Sequence, residues 1–350
     1  SCTNGSYLDL ARVAAILKGR TVHPAVSVGV APGSRQVLQM LAKDGALFDL
    51  VSAGVRVLES CCGFCIGNSL SPQTKSVSLR TSNRNFLARS GTKDANVYLV
   101  SPETAAVAAL TGRITDPRNA GLPWPTVTMP AKFLVDDSMV IPPAEQPERV
   151  EISRGPNIGA PPRNDALPRD LDAEVAIVVG DRITTDHIIP AGARMKYRSN
   201  VPKYSEFVFE TVDPQFHVRC KEIRGKSAYP IIVGGESYGQ GSSREHAALC
   251  PMYLGVKIVL VKTMERIHQA NLCNFGILPL SFGDAADYDT IAVGDRLSIR
   301  DIHGQLQGGT EVVVKNTTRG LEYRTRALVT QRQRDYILAG GLLNHTTRGR

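Results

Sequence analysis

The run Leu58-Glu59-Ser60-Cys61-Cys62-Gly63-Phe64-Cys65-Ile66-Gly67-Asn68 places two thiols, Cys62 and Cys65, at the C-x-x-C spacing with which a tight turn clamps a metal. Two thiolates do not complete a site. Cys2, in Ser1-Cys2-Thr3-Asn4, precedes an amphipathic helical pattern and is the candidate third ligand. Three thiolates suit either a zinc site short of one ligand or an iron–sulfur cluster with one iron not held by the protein. In the second case the open iron takes substrate oxygens and acts as a Lewis acid, polarising a hydroxyl so that it leaves. The spacing equally fits cysteines that are simply buried, and does not choose among the three. Cys61 adjoins Cys62, so its side chain diverges from the pair.

Four further stretches carry polar chemistry. Asn83-Arg84-Asn85-Phe86-Leu87-Ala88-Arg89 offers two guanidiniums, which bind carboxylates bidentately, although a solvated loop has the same composition. Gly239-Gln240-Gly241-Ser242-Ser243-Arg244-Glu245-His246 opens a helical stretch at Ala247. Free amides at such a helix start favour an anion or alkoxide, so Ser242 there could serve as a base; the plainer reading is a helix cap. Thr184-Thr185-Asp186-His187 sets an acid beside an imidazole, as a hydrogen-bonded turn also would. Tyr197-Arg198-Ser199-Asn200 adds another loop arginine.

The elements that must position these groups alternate. Ser6 to Lys18 predicts a helix capped by Ser6 and stopped at Gly19, with strands at 26–30 and 55–58 and helical pieces at 34–42 and 47–51. Strands follow at 76–79 and 96–100, and Ser101-Pro102-Glu103 opens a helix ending at Gly112. This alternation predicts a layered α/β domain with a mostly parallel sheet over 1–115. Prolines then recur without periodicity through 116–172, which predicts an extended linker. A second α/β domain over 173–350 begins with strands at 175–179, 231–233 and 258–261 and a helix from Met264 to about Asn271. Its tail alternates at 297–300, 311–314 and 324–329 as half-exposed antiparallel strands do, before a helix at 334–338.

At 350 residues, 42% hydrophobic and 21% charged, the chain supports two packed domains and excludes disorder. Its net charge of +8 suits anionic small molecules, and the basic residues are too dispersed to favour nucleic acid. Apolar runs are of strand length, short of the roughly 20 residues that span a bilayer. Seven cysteines without a signal peptide predict reduced thiols and a cytoplasmic location. The chain opens on Ser1 rather than Met, inside what reads as a functional loop, and is expected to be a fragment.

Taken together and in order, Ser1-Cys2-Thr3-Asn4, Cys62-Gly63-Phe64-Cys65-Ile66-Gly67, Asn83-Arg84-Asn85-Phe86 with Arg89, Gly180 through His187, and Tyr238 through Ala247 resemble the aconitase family of iron–sulfur hydro-lyases. The resemblance implies a [4Fe-4S] cluster held by Cys2, Cys62 and Cys65 with Asn83 beside it. It implies that Arg84, Arg89, Arg198 and Arg244 clamp substrate carboxylates and that Ser242 abstracts a proton from carbon, with Ser243 as a substrate contact. Asp186 and His187 join the catalytic set on the same ground. The first domain would be a three-layer α/β/α cluster-binding unit, here partial, and the second the mobile swivel domain. The implied reaction, a step of the tricarboxylic acid cycle, interconverts citrate and isocitrate through cis-aconitate; homocitrate and 3-isopropylmalate are the alternative substrates, and an iron-sensing RNA-binding relative the alternative of another class. The expected partner is a tricarboxylate, with no membrane, and the complete protein would be a monomer. Ala88 stands where the family usually has Gly, and Cys61 where a small residue is usual. The family's N-terminal acidic and His residues have no counterpart in this sequence, so the chain alone is expected to be inactive or poor in cluster.

Overall fold

The computed structural model describes residues 4–82, 87, 89–241 and 244–347. Contacts divide the chain into two units, up to Val150 and from Glu151. The first runs α1 (Tyr7–Leu17), β1 (Gly29–Val30), α2 (Arg35–Lys43), α3 (Ala46–Ser52), β2 (Arg56–Val57), β3 (Val77–Arg80), β4 (Asn96–Leu99) and α4 (Pro102–Thr111). Local chemistry sets these ends. The Ser6 hydroxyl accepts from the Asp9 amide while Asp9 accepts from the Ser6 amide, a reciprocal cap that starts α1. Ser101 accepts from Thr104, Pro102 takes the first turn, and Gly112 closes α4 with a φ of 72°. Leu10, Val13, Leu17, Leu41, Leu50 and Val107 pack these helices into one core. Each such buried side chain contributes about 1.5–3 kcal/mol.

The sheet of this unit is less continuous than the alternation predicts. Among the described residues β1 pairs only with β2 and β3 only with β4, both in parallel, which leaves two two-stranded ribbons in place of one layer. From 113 to 170 there is no helix beyond 3-10 turns at Pro117–Asn119 and Pro147–Arg149 and no strand. The proline-rich stretch is tied down locally even so, with Asp136 accepting from Arg35 (2.7 Å) and Gln39 (3.0 Å) of α2.

The second unit runs β5 (Leu171–Val179), α5 (Thr185–Ile188), α6 (Val201–Tyr204), α7 (Phe216–Gly225), β6 (Tyr229–Gly234), α8 (His246–Tyr253), β7 (Ile258–Val261), α9 (Arg266–Asn274) and β8 (Leu278–Phe282). It ends with β9 (Arg296–Ile299), α10 (Ile302–Gly308), β10 (Glu311–Asn316), β11 (Leu321–Arg326), α11 (Gln331–Ala339) and α12 (Leu342–Thr347). The sheet is mixed, as expected, and it closes into a barrel in the order β10-β11-β8-β7-β6-β5-β9. Strands β5 to β8 run parallel, and β9 to β11 return antiparallel, joining β8 to β5.

Two cores follow from the strand alternation. Val175, Ile231, Val233, Ile258, Leu260 and Leu280 fill the barrel, while Ile232, Val259 and Val261 face the helices. A bulge between Val175 and Ile177 shifts the register of β5, turning Ile177 and Val179 out to the helical core. The outward faces of β10 and β11 stay exposed, which is why only this part of the chain alternates strictly. Residues 164–167 strap the barrel: buried Lys257 donates to Asn164 Oδ1 (2.6 Å) and the Asp165 carbonyl (2.7 Å), and burial pushes its ammonium down to about 8. Among the described residues no helix is long and apolar enough to cross a membrane.

Candidate functional site

In the first unit β2 delivers the chain into the cysteine turn, and Phe64–Ile66 winds into one 3-10 turn closed by Gly67 at a φ of 82°. Any Cβ at Gly67 would stand 3.1 Å from both the Ser71 and Ser90 hydroxyls, so glycine here lets the turn close against its neighbours. Cys65 is buried and Cys62 exposed. Arg89 Nη2 donates to Cys65 Sγ at 3.3 Å.

The residue that holds this turn is Arg80, which the sequence motifs do not single out. It is buried, and donates to the carbonyls of Phe64 (2.6 Å) and Leu70 (2.7 Å) and to Ser78 Oγ (2.9 Å). Desolvation lowers its pKa, and the nearby Cys65 sulfur opposes that shift. A cation ending an otherwise apolar strand, just before the polar loop, was the signal available in the sequence. We predict that Arg80→Met destabilises this unit by about 2 kcal/mol, from unsatisfied carbonyls and lost charged donors. Faster labelling of Cys65 by a thiol reagent would report the loosened turn; an unchanged rate would mean that Arg80 does not hold it.

In the second unit the loops leaving β5, β6 and β7 are stitched together beyond the carboxyl ends of the parallel strands, where ligands bind in related α/β architectures. Thr184 bridges Gln240, and Tyr238 bridges Met264. The amides of Gly239 and Gln240 both donate to the Ile183 carbonyl, at 2.8 and 3.0 Å. The Glu236 amide donates to Asp181 (2.8 Å), and Ser237 Oγ to Glu265 (2.5 Å).

This stitching brings Asp186 and Arg244 into an ion pair, with Arg244 Nη1 also donating to the Ile189 carbonyl at 3.4 Å. The guanidinium is the more buried partner, its side chain 19% exposed against 42% for Asp186. It is thereby preorganised as a donor toward a carboxylate. His187 caps its own helix. Its Nδ1 accepts from the Thr184 amide at 3.1 Å while its own amide donates to Thr184 Oγ1 at 3.2 Å, so the ring caps α5. Arg198 is exposed, and His246 Nε2 meets its backbone carbonyl at 2.8 Å. Cys2, Asn83, Arg84, Ser242 and Ser243 lie outside the described residues.

Beneath the Gly239 loop lies His268, buried, packed at 5.4 Å on the Tyr238 ring, with neither ring nitrogen hydrogen-bonded. Burial pushes it down to about 4, so it is neutral at pH 7. The sequence shows it only as one position of a helical pattern.

Comparison with known proteins follows the same two regions. Residues 1–112 match the family model described as aconitase family (aconitate hydratase), and residues 186–285 match that of the aconitase C-terminal domain. The chain is 31% identical to a probable mitochondrial aconitate hydratase of Dictyostelium discoideum, over 99% of this chain and 51% of that protein. It is 29% identical to the mitochondrial homocitrate dehydratase of Saccharomyces cerevisiae, over 99% of this chain and 50% of that protein. A solved structure, 3-isopropylmalate dehydratase from Methanocaldococcus jannaschii, aligns at 25% identity and a TM-score of 0.40, over 51% of this chain and 95% of that one. The chain spans about half the length of the curated relatives it matches. These names correct the cytoplasmic expectation, since the aconitate hydratases and the homocitrate dehydratase are named as mitochondrial. Reduced thiols separate oxidising from reducing compartments and do not distinguish one reducing compartment from another.

Proposed function

The chain belongs to the aconitase family, and on that premise we propose that it forms the cluster-binding and proton-transfer part of a hydro-lyase that isomerises citrate to isocitrate through cis-aconitate. The observation that carries the reading is the cysteine turn, with Arg89 at 3.3 Å from Cys65 and the buried Arg80 beside it. Both lie beside the C-x-x-C pair, whose spacing on a tight turn suits a metal clamp. The donor set therefore fits a [4Fe-4S] cluster held by Cys62 and Cys65, with Cys2 as third ligand. When bound, such a cluster supplies a Lewis-acidic iron that draws off a hydroxyl.

The chain's own groups do the rest. Arg244, fixed by Asp186, binds a substrate carboxylate, and Arg84, Arg89 and Arg198 bind others, which suits a substrate with three. Ser242 takes the proton from carbon, with Ser243 as a neighbouring contact and Arg244 favouring the alkoxide. Asp186 acts through Arg244, and His187 holds the loop as the cap of α5. Asn83 serves the cluster. In this reading the first unit belongs to a three-layer α/β/α body and the second is the swivel domain; the complete protein works as a monomer.

A second reading rests on the homocitrate dehydratase relative, and takes homocitrate as substrate. Anaerobic reconstitution with ferrous iron and sulfide tests the site itself. The expected result is a brown protein with visible charge-transfer absorbance and iron and sulfide near four each. Cluster content that does not change in Cys65→Ser would overturn the ligand set. Turnover assays with citrate, homocitrate and 3-isopropylmalate then choose the substrate. The chain alone is expected to show little activity, and addition of the family's remaining half to restore it.

A further inference from the structure

We propose that His246 is a positioning residue: its Nε2 fixes the loop carrying Arg198 to the start of α8, and so sets where the Arg198 and Arg244 guanidiniums stand relative to each other. Arg244 immediately precedes Glu245 and His246 in the chain, whereas Arg198 lies 48 residues before His246, in a different loop. The bond that joins them runs 2.8 Å from His246 Nε2 to the Arg198 carbonyl. A carbonyl oxygen can only accept, so Nε2 carries the proton.

The imidazole is aimed by its surroundings. Its centre lies 5.4 Å from that of the buried Tyr204 ring of α6, at an angle of 59°, and the Tyr204 hydroxyl donates to the Pro190 carbonyl at 2.9 Å. Tyr204 thus braces His246 from one side and holds the entry to the Arg198 loop with its other end. The loop has little freedom left. Three successive carbonyls are engaged: that of Tyr197 by the Asn200 amide (2.7 Å), that of Arg198 by His246, and that of Ser199 by the Gly159 amide (2.9 Å). Of the three, the middle one takes its donor from a side chain. On the far flank Tyr197 stacks on Phe207 at 5.5 Å, and Arg194, 4.1 Å above the same Phe207 ring, pairs with Glu210.

The two arginines are therefore fixed by different means. Arg244 is held through its own guanidinium, by Asp186 and the Ile189 carbonyl. Arg198 is held through its backbone, and its exposed guanidinium has no hydrogen-bond or ion-pair partner among the described residues. Two guanidiniums at a set separation select a ligand by the distance between its carboxylates, and a loop ordered beforehand loses less entropy when that ligand arrives. This rests on the carboxylate-binding role given above to both arginines; His246 adds the spacing between them.

The full 350-residue chain tests this with His246→Gln, whose amide nitrogen reaches the place of Nε2, and His246→Leu, which keeps the bulk and removes the donor. Proton–nitrogen correlation spectra of the imidazole should show the wild-type ring with its proton on Nε2. Residue-resolved hydrogen exchange at Gly159, Arg198 and Asn200 should be at least about tenfold faster in His246→Leu and near wild type in His246→Gln, with the amides of β6 and β7 unchanged in both. Citrate, titrated while the arginine Nε–H signals are followed, should bind at least about tenfold more weakly to His246→Leu and within about threefold of wild type to His246→Gln. A proton on Nδ1 alone would overturn the proposal. So would equal loosening in the two variants, because packing of the ring on Tyr204, rather than its hydrogen bond, would then hold the loop. Citrate that shifts neither arginine of the wild-type chain would instead overturn the carboxylate reading, while exchange and the ring proton still decide the role of His246.

Discussion

Gly239→Ala is expected to destabilise the second unit by about 3 kcal/mol, combining backbone strain of about 1–2 kcal/mol with an overpacking cost of similar size. Gly239 has a φ of 84°, in the left-handed region, and a Cβ there would lie 2.3–2.5 Å from Cγ, Cδ2 and Cβ of His268. Neither side can give way. The loop amide is held by the Ile183 carbonyl, and the His268 ring is pinned between this loop and Tyr238. Relief requires that the stretch leading to Ser242 lift away from the Thr184–Asp186 loop, so the Asp186–Arg244 pair should loosen with it. Urea denaturation measures the loss. A change below about 1 kcal/mol would show that the loop packs less tightly on His268 than these distances state.

Acidification should cost the same unit a further amount of similar size through His268 alone. The ordinary value of 6.5 is depressed to about 4 by burial. Below pH 6.5 the unfolded chain takes up a proton that the folded chain refuses, and the difference grows until about pH 4, where the folded form protonates as well. Stability from this residue is therefore fully present above pH 6.5 and falls by about 3 kcal/mol between pH 6.5 and 4, at about 1.4 kcal/mol for each pH unit crossed. The control is His268→Leu, which removes two buried nitrogens without hydrogen bonds and keeps an apolar side chain of similar bulk. It should be near neutral at pH 7 and flatten the pH dependence of stability in that window. An equally steep acid loss in the variant would assign the effect to other groups.

Both predictions concern the layer beneath the polar groups rather than those groups themselves. Asp186 orients Arg244, Arg80 fixes the cysteine turn, and His268 supports the glycine that turns the chain toward Ser242. In each unit, polar groups are held in place by side chains behind them before any ligand arrives. These supporting residues are thus as open to test as the polar groups they hold.

By itself the sequence determined what local rules govern. Ser6, Ser34 and Ser101 cap the helices where hydroxyls precede apolar periodicity, Gly112 ends α4, and the alternating tail forms antiparallel strands. The cysteine turn and the Thr184 and Gly239 loops were legible because glycines and short polar residues bend the chain by their own chemistry. Only tertiary structure decided the rest. Closure of the barrel depends on β9 and β10 bridging strands far apart in sequence, and the bulge in β5 sets which of its apolar residues face inward. Nor does a local pattern separate a histidine that caps its own helix, His187, from one buried without a partner, His268, or show that Arg80 reaches back to Phe64 and Leu70. Capping and periodicity act over about four residues, whereas burial and long-range hydrogen bonds depend on what the folded chain brings alongside.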